Sequence, residues 1–262
     1  MIRRWADLTT VEAGALGSDV VAVLPAGATE QHGPHLPLSV DTDIAAGILA
    51  GASARLPAEL PVYALPALAV GVSVEHADFP GTLSLSAETF IRTVVELGGG
   101  VAHAGVRRLV LLNGHGGQPQ ALDLAAQELR YRHRMLVAVV NTFDLYDASS
   151  FGADEVKYGI HAGAVETSIM LALHPEAVRR AALAEFASLA RTLKEDFVLA
   201  SPQGKFGFAW QAQDLNPAGA VGNAKAADEG RGRALLDEAS ARLAQFLAEF
   251  ARLPLEILKA RD

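Results

Sequence analysis

The sequence predicts an α/β fold in which a largely parallel central sheet is flanked by helices. Two observations lead to this prediction. Over roughly the first 140 residues, short apolar runs typical of buried strands alternate with longer stretches of helical spacing, which is the pattern of a parallel sheet. The chain has 262 residues, 50% of them hydrophobic, which is enough to build a large core without covalent cross-links. We expect a single domain over residues 1–262.

The elements follow in chain order. Apolar runs predict strands at 20–25, 62–65, 107–112 and 135–140. Helical spacing predicts helices at 44–56, 86–103, 119–132, 163–173, 181–193 and 225–253, and Gly and Pro predict loops at 70–82 and 201–222. Asp41 or Thr42 is the expected cap of the first helix, and Ser84 or Ser86 is the expected cap of the second.

The composition excludes several classes of protein and site. The chain carries 22 basic and 30 acidic residues, so nucleic acid and anionic membranes are poor partners for its surface. No apolar run approaches the roughly 20 residues of a membrane-spanning helix, and polar residues come too early for a signal peptide, so we expect a cytoplasmic protein. Cysteine is absent, which excludes thiolate chemistry and leaves nitrogen and oxygen ligands for any metal.

A first cluster of polar residues follows the predicted strand at 20–25. Glu30 and His32 are two residues apart in an extended stretch, so their side chains point to the same side. Asp41 comes after a loop that two prolines restrict. Two carboxylates and an imidazole suit a divalent transition metal. A polar loop that ends in a helix cap is the alternative explanation and needs no metal.

A second cluster, 113–117, has the sequence Asn-Gly-His-Gly-Gly and lies at the carboxyl end of a predicted strand, where open α/β sheets bind ligands. His115 is its chemical group, and the glycines let a ligand approach the backbone. An ordinary turn from strand to helix with an incidental histidine is the alternative. A phosphate-binding loop is disfavoured, because no lysine follows the glycines and the spacing does not fit a dinucleotide fingerprint.

A third cluster places His161 five residues before Glu166. Within one helix these side chains would lie about 140° apart, so they converge only if His161 lies in the turn before the helix and Glu166 in its first turn. Gly163 allows such a break. A capped helix with a surface glutamate is the alternative. A further polar segment, 73–82, is a candidate wall of the pocket.

Taken together, these segments resemble the creatininase family of metal-dependent amidohydrolases. The matching pieces are 30–37 with Asp41, 75–76 with 79–82, 113–116, and 161–163 with 166–168, in order along about residues 8 to 175. The resemblance implies one α/β domain, a site for two divalent ions (Zn, Mn or Fe), and a homo-oligomer, often a hexamer. It also implies hydrolysis of C–N bonds, mostly non-peptide and sometimes peptide.

The resemblance implies a role for each matched residue. Glu30 and His115 would hold one ion, His32 would hold the other, and Asp41 would bridge both. His161 would be the acid–base partner near the scissile bond. Glu166 would lie beside the metals as a ligand and catalytic group.

One position departs from creatininase proper, which has a glutamate ligand of the second metal where this chain has Gly117. With glycine at this position, the chain resembles the formamide deformylases of flavin and deazaflavin biosynthesis and the mycofactocin-precursor peptidase, which are members of the same family. Glu166 is our candidate for the missing ligand, and Asp43 is the alternative.

We therefore expect a metal-dependent amidohydrolase that cleaves an amide or formamide bond of a small molecule with a hydroxide that bridges the two metals. The alternatives are a peptidase acting on a modified or short peptide, a catalytically silent binding protein on the same scaffold, and a nucleotide-binding protein. The segment before His161, residues 156–160, contains no tryptophan. A flat creatinine ring therefore has no stacking partner unless Trp210 folds back. Lys157 is a candidate partner for an anionic group of the substrate.

Overall fold

The computed structural model describes residues 1–259 of the chain. Its strands are β1 (Arg3–Arg4), β2 (Val21–Ala26), β3 (Val62–Ala64), β4 (Arg108–Asn113), β5 (Leu136–Asn141), β6 (Glu185–Phe186) and β7 (Gly222–Asn223). The first five form a parallel sheet in the order β1-β3-β2-β4-β5, and β6 pairs with β7 in an antiparallel ribbon. The predicted α/β architecture with a parallel central sheet is confirmed.

Nine α-helices are present among these residues. They are α1 (Thr10–Gly14), α2 (Val40–Ser53), α3 (Ala87–His103), α4 (Pro119–His133), α5 (Ala153–Tyr158), α6 (Ala164–Leu173), α7 (Leu189–Leu193), α8 (Ala212–Leu215) and α9 (Glu229–Arg252). Short 3-10 turns are Trp5–Asp7, Val74–His76, Thr142–Asp144, Ser149–Phe151, Pro175–Ala177, Arg180–Ala182, Ala224–Ala226 and Leu255–Ile257. Within the described part of the chain, no helix combines the length and apolar character that crossing a membrane requires.

The predicted strands are all present, three of them displaced by one residue toward the carboxyl end. α2 begins earlier than predicted, at Val40, so Asp41 lies inside its first turn and does not cap it. Ser39 occupies the cap position, and its hydroxyl donates to Asp43 Oδ2 at 2.6 Å. Ser86 caps α3, as one of the two predicted residues. The change at α2 matters because it places the Asp41 carboxylate at a helix N-terminus, which favours negative charge.

The helix predicted at 181–193 is wrong. This stretch contains the end of a 3-10 turn, then β6, and only afterwards the short helix α7. Glu185 and Phe186 are extended because they pair with β7, a contact between distant segments that no local pattern reveals. The predicted loop 201–222 likewise contains α8, and the long C-terminal helix begins at Glu229, where the Asp228 side chain caps it.

The central sheet is covered on both faces, because successive strand residues point to opposite sides. Val21 and Val110 pack in one core cluster with α2, α6 and α9. Leu24 and Leu109 pack in another with α3 and α4. Every residue of β2 and β4 is buried, which explains why these strands are continuous apolar runs in the sequence.

The topology directs attention to the carboxyl ends of β2 and β4. β2 lies in the middle of the sheet, with β3 on one side and β4 and β5 on the other. The connections that follow β2 and β4 therefore diverge from two adjacent strand ends, which is where open α/β sheets form ligand crevices. The polar clusters at 30–41 and 113–117 both begin at these two ends.

α9 approaches α6 closely at Gly232. A β-carbon there would lie 1.9 Å from the backbone oxygen of Ser168, so the two helices would have to separate. We expect Gly232→Ala to lower the free energy of unfolding by roughly 2 kcal/mol, although alanine is the better helix former by about 1 kcal/mol. Gly100→Ala in α3 is the matched control and should be stabilising, because no neighbour lies within 4 Å of its β-carbon position. Denaturant unfolding measures the free energy of unfolding of both variants. Equal changes in the two variants would contradict the explanation by close helix approach.

Candidate metal centre

Four buried side chains converge at the carboxyl ends of β2 and β4. Glu30 and His32 follow β2, Asp41 lies in the first turn of α2, and His115 follows β4. His32 Nε2 lies 3.2 Å from Asp41 Oδ1. His115 Nδ1 lies 3.1 Å from Asp41 Oδ2, and its Nε2 lies 3.3 Å from Glu30 Oε2. The structure therefore brings these four predicted residues together, and the Asp41 carboxylate faces both histidines.

The turn after β4 holds His115 in this place. The Asn113 side chain accepts from the N–H of His115 at 3.1 Å and donates to the carbonyl oxygen of His115 at 2.8 Å. Gly114 lets the start of α2 come against the end of β4, because a β-carbon there would lie 2.3 Å from the carbonyl oxygen of Asp41. The Asn-Gly-His sequence thus builds the turn and also admits Asp41 beside the histidine.

His161 and Glu166 enter the site from the start of α6. The helix begins at Ala164, so His161 lies in the turn before it and Glu166 in its first turn, which is the arrangement that their convergence required. Ala162 has a φ of 55°, in the left-handed region that residues other than glycine rarely adopt. Its N–H donates to Glu166 Oε2. The strained residue thus holds one oxygen of Glu166 and leaves the other free.

The side chains form several groups whose ligand atoms lie within 4.8 Å of one another. One group is Glu30, Asp41 and His115; a second is His32, Asp41 and Glu166; a third is Glu30, His32 and His161; and a fourth is Glu30, Glu75 and His76. Among the described residues, Glu30 Oε2, His32 Nε2 and Asp41 Oδ2 are buried atoms without a hydrogen-bond partner. Buried polar atoms are normally paired. Carboxylate oxygens and imidazole nitrogens of this kind fit divalent Zn, Mn or Fe.

The charges of the cluster also suit cations. Burial opposes protonation of His32, but the adjacent Asp41 carboxylate prevails and raises the pKa of His32 to about 9. Burial disfavours the charged form of Asp41 too, yet His32 and His115 hold its pKa well below its usual range. Burial likewise opposes protonation of His115, whose pKa Glu30 and Asp41 nevertheless raise. Protons on two histidines balance these carboxylates, and a metal ion would have to displace them.

Glu166 and Asp43 were the two candidates to replace the metal ligand that is missing because position 117 is a glycine. Glu166 lies in a group with His32 and Asp41, and burial of its carboxyl group raises its pKa to about 7. Asp43 belongs to none of the ligand groups found in residues 1–259, and its carboxylate accepts from the hydroxyl of Ser39. The geometry therefore favours Glu166 over Asp43.

Three further residues belong to the site, although they were not among the predicted ligands or catalytic residues. Glu75 and His76 lie in a 3-10 turn within the segment expected to be a pocket wall. The nearest oxygen of Glu75 lies 3.4 Å from His115 Nε2, and His76 Nε2 lies 3.4 Å from Glu30 Oε1. Gln31 contacts His76 Nδ1 through its amide nitrogen at 2.8 Å. The sequence signal that could have identified Glu75 and His76 was the adjacent Glu and His within a predicted loop.

The ring of His161 lies against two other imidazoles, those of His32 and His76, with ring centroids 4.2 Å away in each case. Its Nε2 lies 2.7 Å from the carbonyl oxygen of Gln31, so this nitrogen carries the hydrogen and donates it. Nδ1 is therefore the acceptor, and it lies 3.8 Å from Glu30 Oε1. Burial lowers the pKa of His161 well below its usual value, so the ring is neutral.

The cluster lies in a cavity of about 920 Å³. Its larger apolar lining residues are Phe143, Tyr146, Ile160, Phe208 and Trp210. Trp210 lines this cavity, so the exception that the sequence analysis allowed for applies, and a tryptophan is present in the wall of the site. Lys157 is not among the lining residues, and its ammonium lies 5.0 Å from the ring of Tyr158. It is therefore not placed to meet a substrate in this cavity.

Comparison with known proteins identifies the family of this chain. Residues 6–247 match the family model described as "Creatininase: Creatinine amidohydrolase". The chain belongs to the creatininase family. This membership confirms the resemblance found in the motifs, and the relatives that match the chain are named as hydrolases.

Three relatives from the creatininase family illustrate its range. Over 163 residues the chain is 42% identical to a mycofactocin precursor peptide peptidase of Mycobacterium tuberculosis, with 60% of this chain and 60% of the relative covered. It is 34% identical over 188 residues to a creatinine amidohydrolase of Pseudomonas putida, with 64% and 69% covered. A solved structure described as "Creatininase Mn" has a TM-score of 0.76 at 28% identity, over 95% of this chain and 98% of that one. The match to the peptidase thus spans about three fifths of its length.

A buried histidine of the first motif gives a test of the fold around the site. His35 Nε2 lies 3.0 Å from Thr167 Oγ1, and the ring stacks on Phe186. Burial lowers the pKa of His35 to about 4 from its ordinary 6.5. Below pH 6.5 the unfolded chain therefore binds a proton at His35, whereas the folded protein excludes this proton until about pH 4. His35 consequently lowers the free energy of unfolding as the pH falls from 6.5 to 4, and it has no such effect above pH 6.5.

We expect His35→Gln to remove this part of the pH dependence, because glutamine does not titrate. The loss of unfolding free energy between pH 6.5 and 4 should be smaller in His35→Gln than in the wild type, by on the order of 2–3 kcal/mol. Denaturant unfolding of the EDTA-treated proteins at pH 7.5, 6, 5 and 4 measures it. If the free energy of unfolding changed with pH in parallel for the two proteins, His35 would have the same pKa in the folded and unfolded states.

Proposed function

We propose that this protein hydrolyses the C–N bond of an amide with two divalent metal ions, Zn, Mn or Fe, bound at the cluster. The observation that carries the proposal is the convergence of unpaired buried carboxylate and imidazole atoms in a cavity, on a chain of a hydrolase family. Glu30, Asp41 and His115 would hold one ion, and His32, Asp41 and Glu166 the other. A relative whose structure is described with Mn supports a metal at such a site.

The residues of the chain have separate tasks in this chemistry. Bound divalent ions supply Lewis acidity and lower the pKa of water. Glu30, Asp41 and Glu166 balance the charge of the ions in a buried place. His161 accepts a proton from the attacking water at Nδ1, because its Nε2 is committed to the carbonyl of Gln31. It then donates that proton to the departing nitrogen, which leaves as a neutral amine.

The cavity wall favours an uncharged substrate with an apolar group. Its lining includes five large apolar or aromatic side chains and, within residues 1–259, no lysine or arginine. A free carboxylate on the substrate would therefore find no cationic side chain in the cavity wall. Phe208 and Trp210 offer stacking surfaces on the side formed by the segment 207–210. An open-chain amide, a formamide or a flat cyclic amide fits these properties.

A peptidase is the second candidate function. Two observations favour it: the cavity of about 920 Å³ is near the upper end for small-molecule pockets, and a relative at 42% identity is named as a peptide peptidase. An apolar residue next to the scissile peptide bond would occupy the aromatic wall. The reaction at the cluster would be the same, because a peptide bond is also an amide.

The deciding experiment is an activity screen of the protein loaded with Mn²⁺, Zn²⁺ or Fe²⁺. Formamides, cyclic amides including creatinine, and short peptides with apolar residues are offered at equal concentration. We expect turnover of a neutral amide that EDTA abolishes and the metal restores. Binding of amides without any turnover would identify a silent binding protein. Nucleotide affinity that survives EDTA would identify a nucleotide-binding protein, and either result would overturn the proposal.

A further inference from the structure

A carboxylate outside the four ligand groups holds the segment that carries His161 and Glu166. Glu155, in α5, accepts the N–H of Ala164 through Oε1 at 2.5 Å and the N–H of Asn223 through Oε2 at 2.8 Å. Ala164 is the first residue of α6, and Asn223 belongs to β7. We propose that Glu155 is a positioning residue of the site, which acts on His161 and Glu166 through the backbone of this segment.

Three glycines make room for the Glu155 carboxylate. A β-carbon at Gly159, Gly163 or Gly222 would lie 2.4, 2.3 or 2.7 Å, respectively, from Glu155 Oε1, closer than real β-carbon contacts. A side chain at any of these positions would therefore displace the carboxylate. The three glycines come from the end of α5, the start of α6 and β7, so the backbone of three segments closes around one side chain.

The negative charge of Glu155 is directed at backbone N–H groups. Gly163, the residue before α6, has no side chain that could cap the helix, and the carboxylate of Glu155 takes that place from α5. A helix N-terminus stabilises such a charge. Arg191, which shares a smaller cavity with Glu155, is paired with Asp154 and Glu185. Glu155 also lines the cavity of the cluster, but both of its oxygens already accept from the backbone, so its partner is the fold and not a substrate.

Glu155 joins two segments that pair beside the cluster. The carbonyl oxygen of His161 accepts from the N–H of Val221 at 2.8 Å, which forms an isolated antiparallel bridge. Ala164 follows His161 closely in the chain, and Asn223 follows Val221. Because the Glu155 carboxylate accepts from both of these later residues, it clamps the two segments together next to the bridge. The clamp therefore fixes where the backbone at His161 lies.

The clamp reaches both cluster residues through Ala162, which lies between His161 and α6. Its φ of 55° is unfavourable for alanine, so the surrounding structure has to maintain it. In this conformation the Ala162 N–H donates to Glu166 Oε2, and the His161 Nε2 hydrogen is donated to the carbonyl of Gln31. Loss of the Glu155 carboxylate would let Ala162 return to a relaxed φ. Glu166 would then lose its backbone donor, and the His161 ring would lose its fixed orientation.

The inference rests on the proposed metal-dependent function, and its first test measures metal binding without activity. The full chain, freed of metal by EDTA, is titrated with Mn²⁺ alone, by calorimetry and by electron paramagnetic resonance of the free ion. Glutamine at position 155 keeps the size of the side chain but presents an N–H to one of the two backbone donors. The wild type should bind two ions, and Glu155→Gln should bind the ion assigned to Glu166 about 10–100-fold more weakly.

Two further variants make the metal titration specific. His32→Ala should keep only the other ion, so adding Glu155→Gln to it should leave Mn²⁺ binding unchanged. Asp154→Asn is the matched control, because Asp154 is the neighbouring carboxylate in α5 and pairs with Arg191 at the surface. It should bind both ions as the wild type does. Circular dichroism checks that each variant is folded.

A second test needs no metal. Imidazole ¹H–¹⁵N spectra of the metal-free full chain report the Nε2 hydrogen of His161, which is buried and donated to the carbonyl of Gln31. This hydrogen should exchange with water at least about tenfold faster in Glu155→Gln than in the wild type or in Asp154→Asn. Backbone amides of β4 should exchange equally in all three proteins, which separates a local change from a loss of global stability.

The outcomes distinguish the positioning role from the proposed function. A wild type that binds two ions, with Glu155→Gln equal to it in metal binding and in His161 exchange, would overturn the role of Glu155 alone. Equal weakening of both ions, with faster exchange throughout β4, would show general destabilisation and would also overturn it. If the wild type binds no Mn²⁺, Zn²⁺ or Fe²⁺, the proposed function fails, and the exchange of the His161 hydrogen still decides whether Glu155 positions the ring.

Discussion

Replacement of Asp41 by alanine is expected to leave the protein folded but without either metal ion, and therefore inactive. The Asp41 carboxylate lies 3.2 Å from His32 through one oxygen and 3.1 Å from His115 through the other, so it faces the proposed ligands of both ions. Removing it also leaves two adjacent buried histidines whose protonation it supports. Elemental analysis after dialysis should find well under one ion per chain, and amide turnover should fall by at least about 10⁴-fold.

Two variants from the same cluster serve as controls for Asp41→Ala. His32→Ala should lose one ion and keep the one held by Glu30 and His115, because His32 lies on one side of the carboxylate only. Asp43→Asn, in the same helical turn, should retain both ions, because its carboxylate accepts from Ser39 and not from the cluster. Equal metal content in Asp41→Ala and His32→Ala would contradict the bridging role.

His161→Ala is expected to keep both metal ions and to lose about 10²–10⁴-fold in turnover. The ring is neutral and lines the cavity, its Nε2 hydrogen is donated to the carbonyl of Gln31, and its Nδ1 lies 3.8 Å from Glu30 Oε1. It is thus placed to transfer a proton. The loss should appear in kcat more than in KM, because proton transfer acts on the transition state.

The alternative role for His161 is metal ligation, since it also shares a group with Glu30 and His32. Metal content therefore has to be measured alongside kinetics. Loss of an ion in His161→Ala, parallel to the loss of turnover, would make it a ligand and remove the acid–base assignment. His174→Ala, a half-exposed histidine at the end of α6, is the control and should change neither quantity.

The site was predictable to the extent that its chemistry lies next to strand ends. Glu30, His32 and His115 follow directly on two buried apolar runs, and parallel strands bring their carboxyl ends to one edge of the sheet. Asp41 and Glu166 could also be predicted, because each lies at the start of a helix near the same edge of the sheet. In these cases a local pattern and a general rule of topology were sufficient.

Other parts of the site depend on contacts between segments that are far apart in the sequence. Glu75 enters only because the 3-10 turn around it folds against the turn after β4, where Gly117 leaves room. Trp210 reaches the cavity from a Gly- and Pro-rich segment without periodicity. Neither placement has a local signal, because loop conformation is decided by what the loop packs against.

The sequence by itself determined the α/β class, the order of the main strands and helices, and the family, because these follow from apolar periodicity and from short motifs. Only the tertiary structure decided the course of residues 181–193, where pairing of β6 with β7 overrides a helical pattern. It also decided which carboxylate faces which histidine. Periodicity reports which face of an element is buried, whereas a metal centre requires side chains from five separate segments to meet within a few ångströms, and that is set by packing of the whole sheet and its helices.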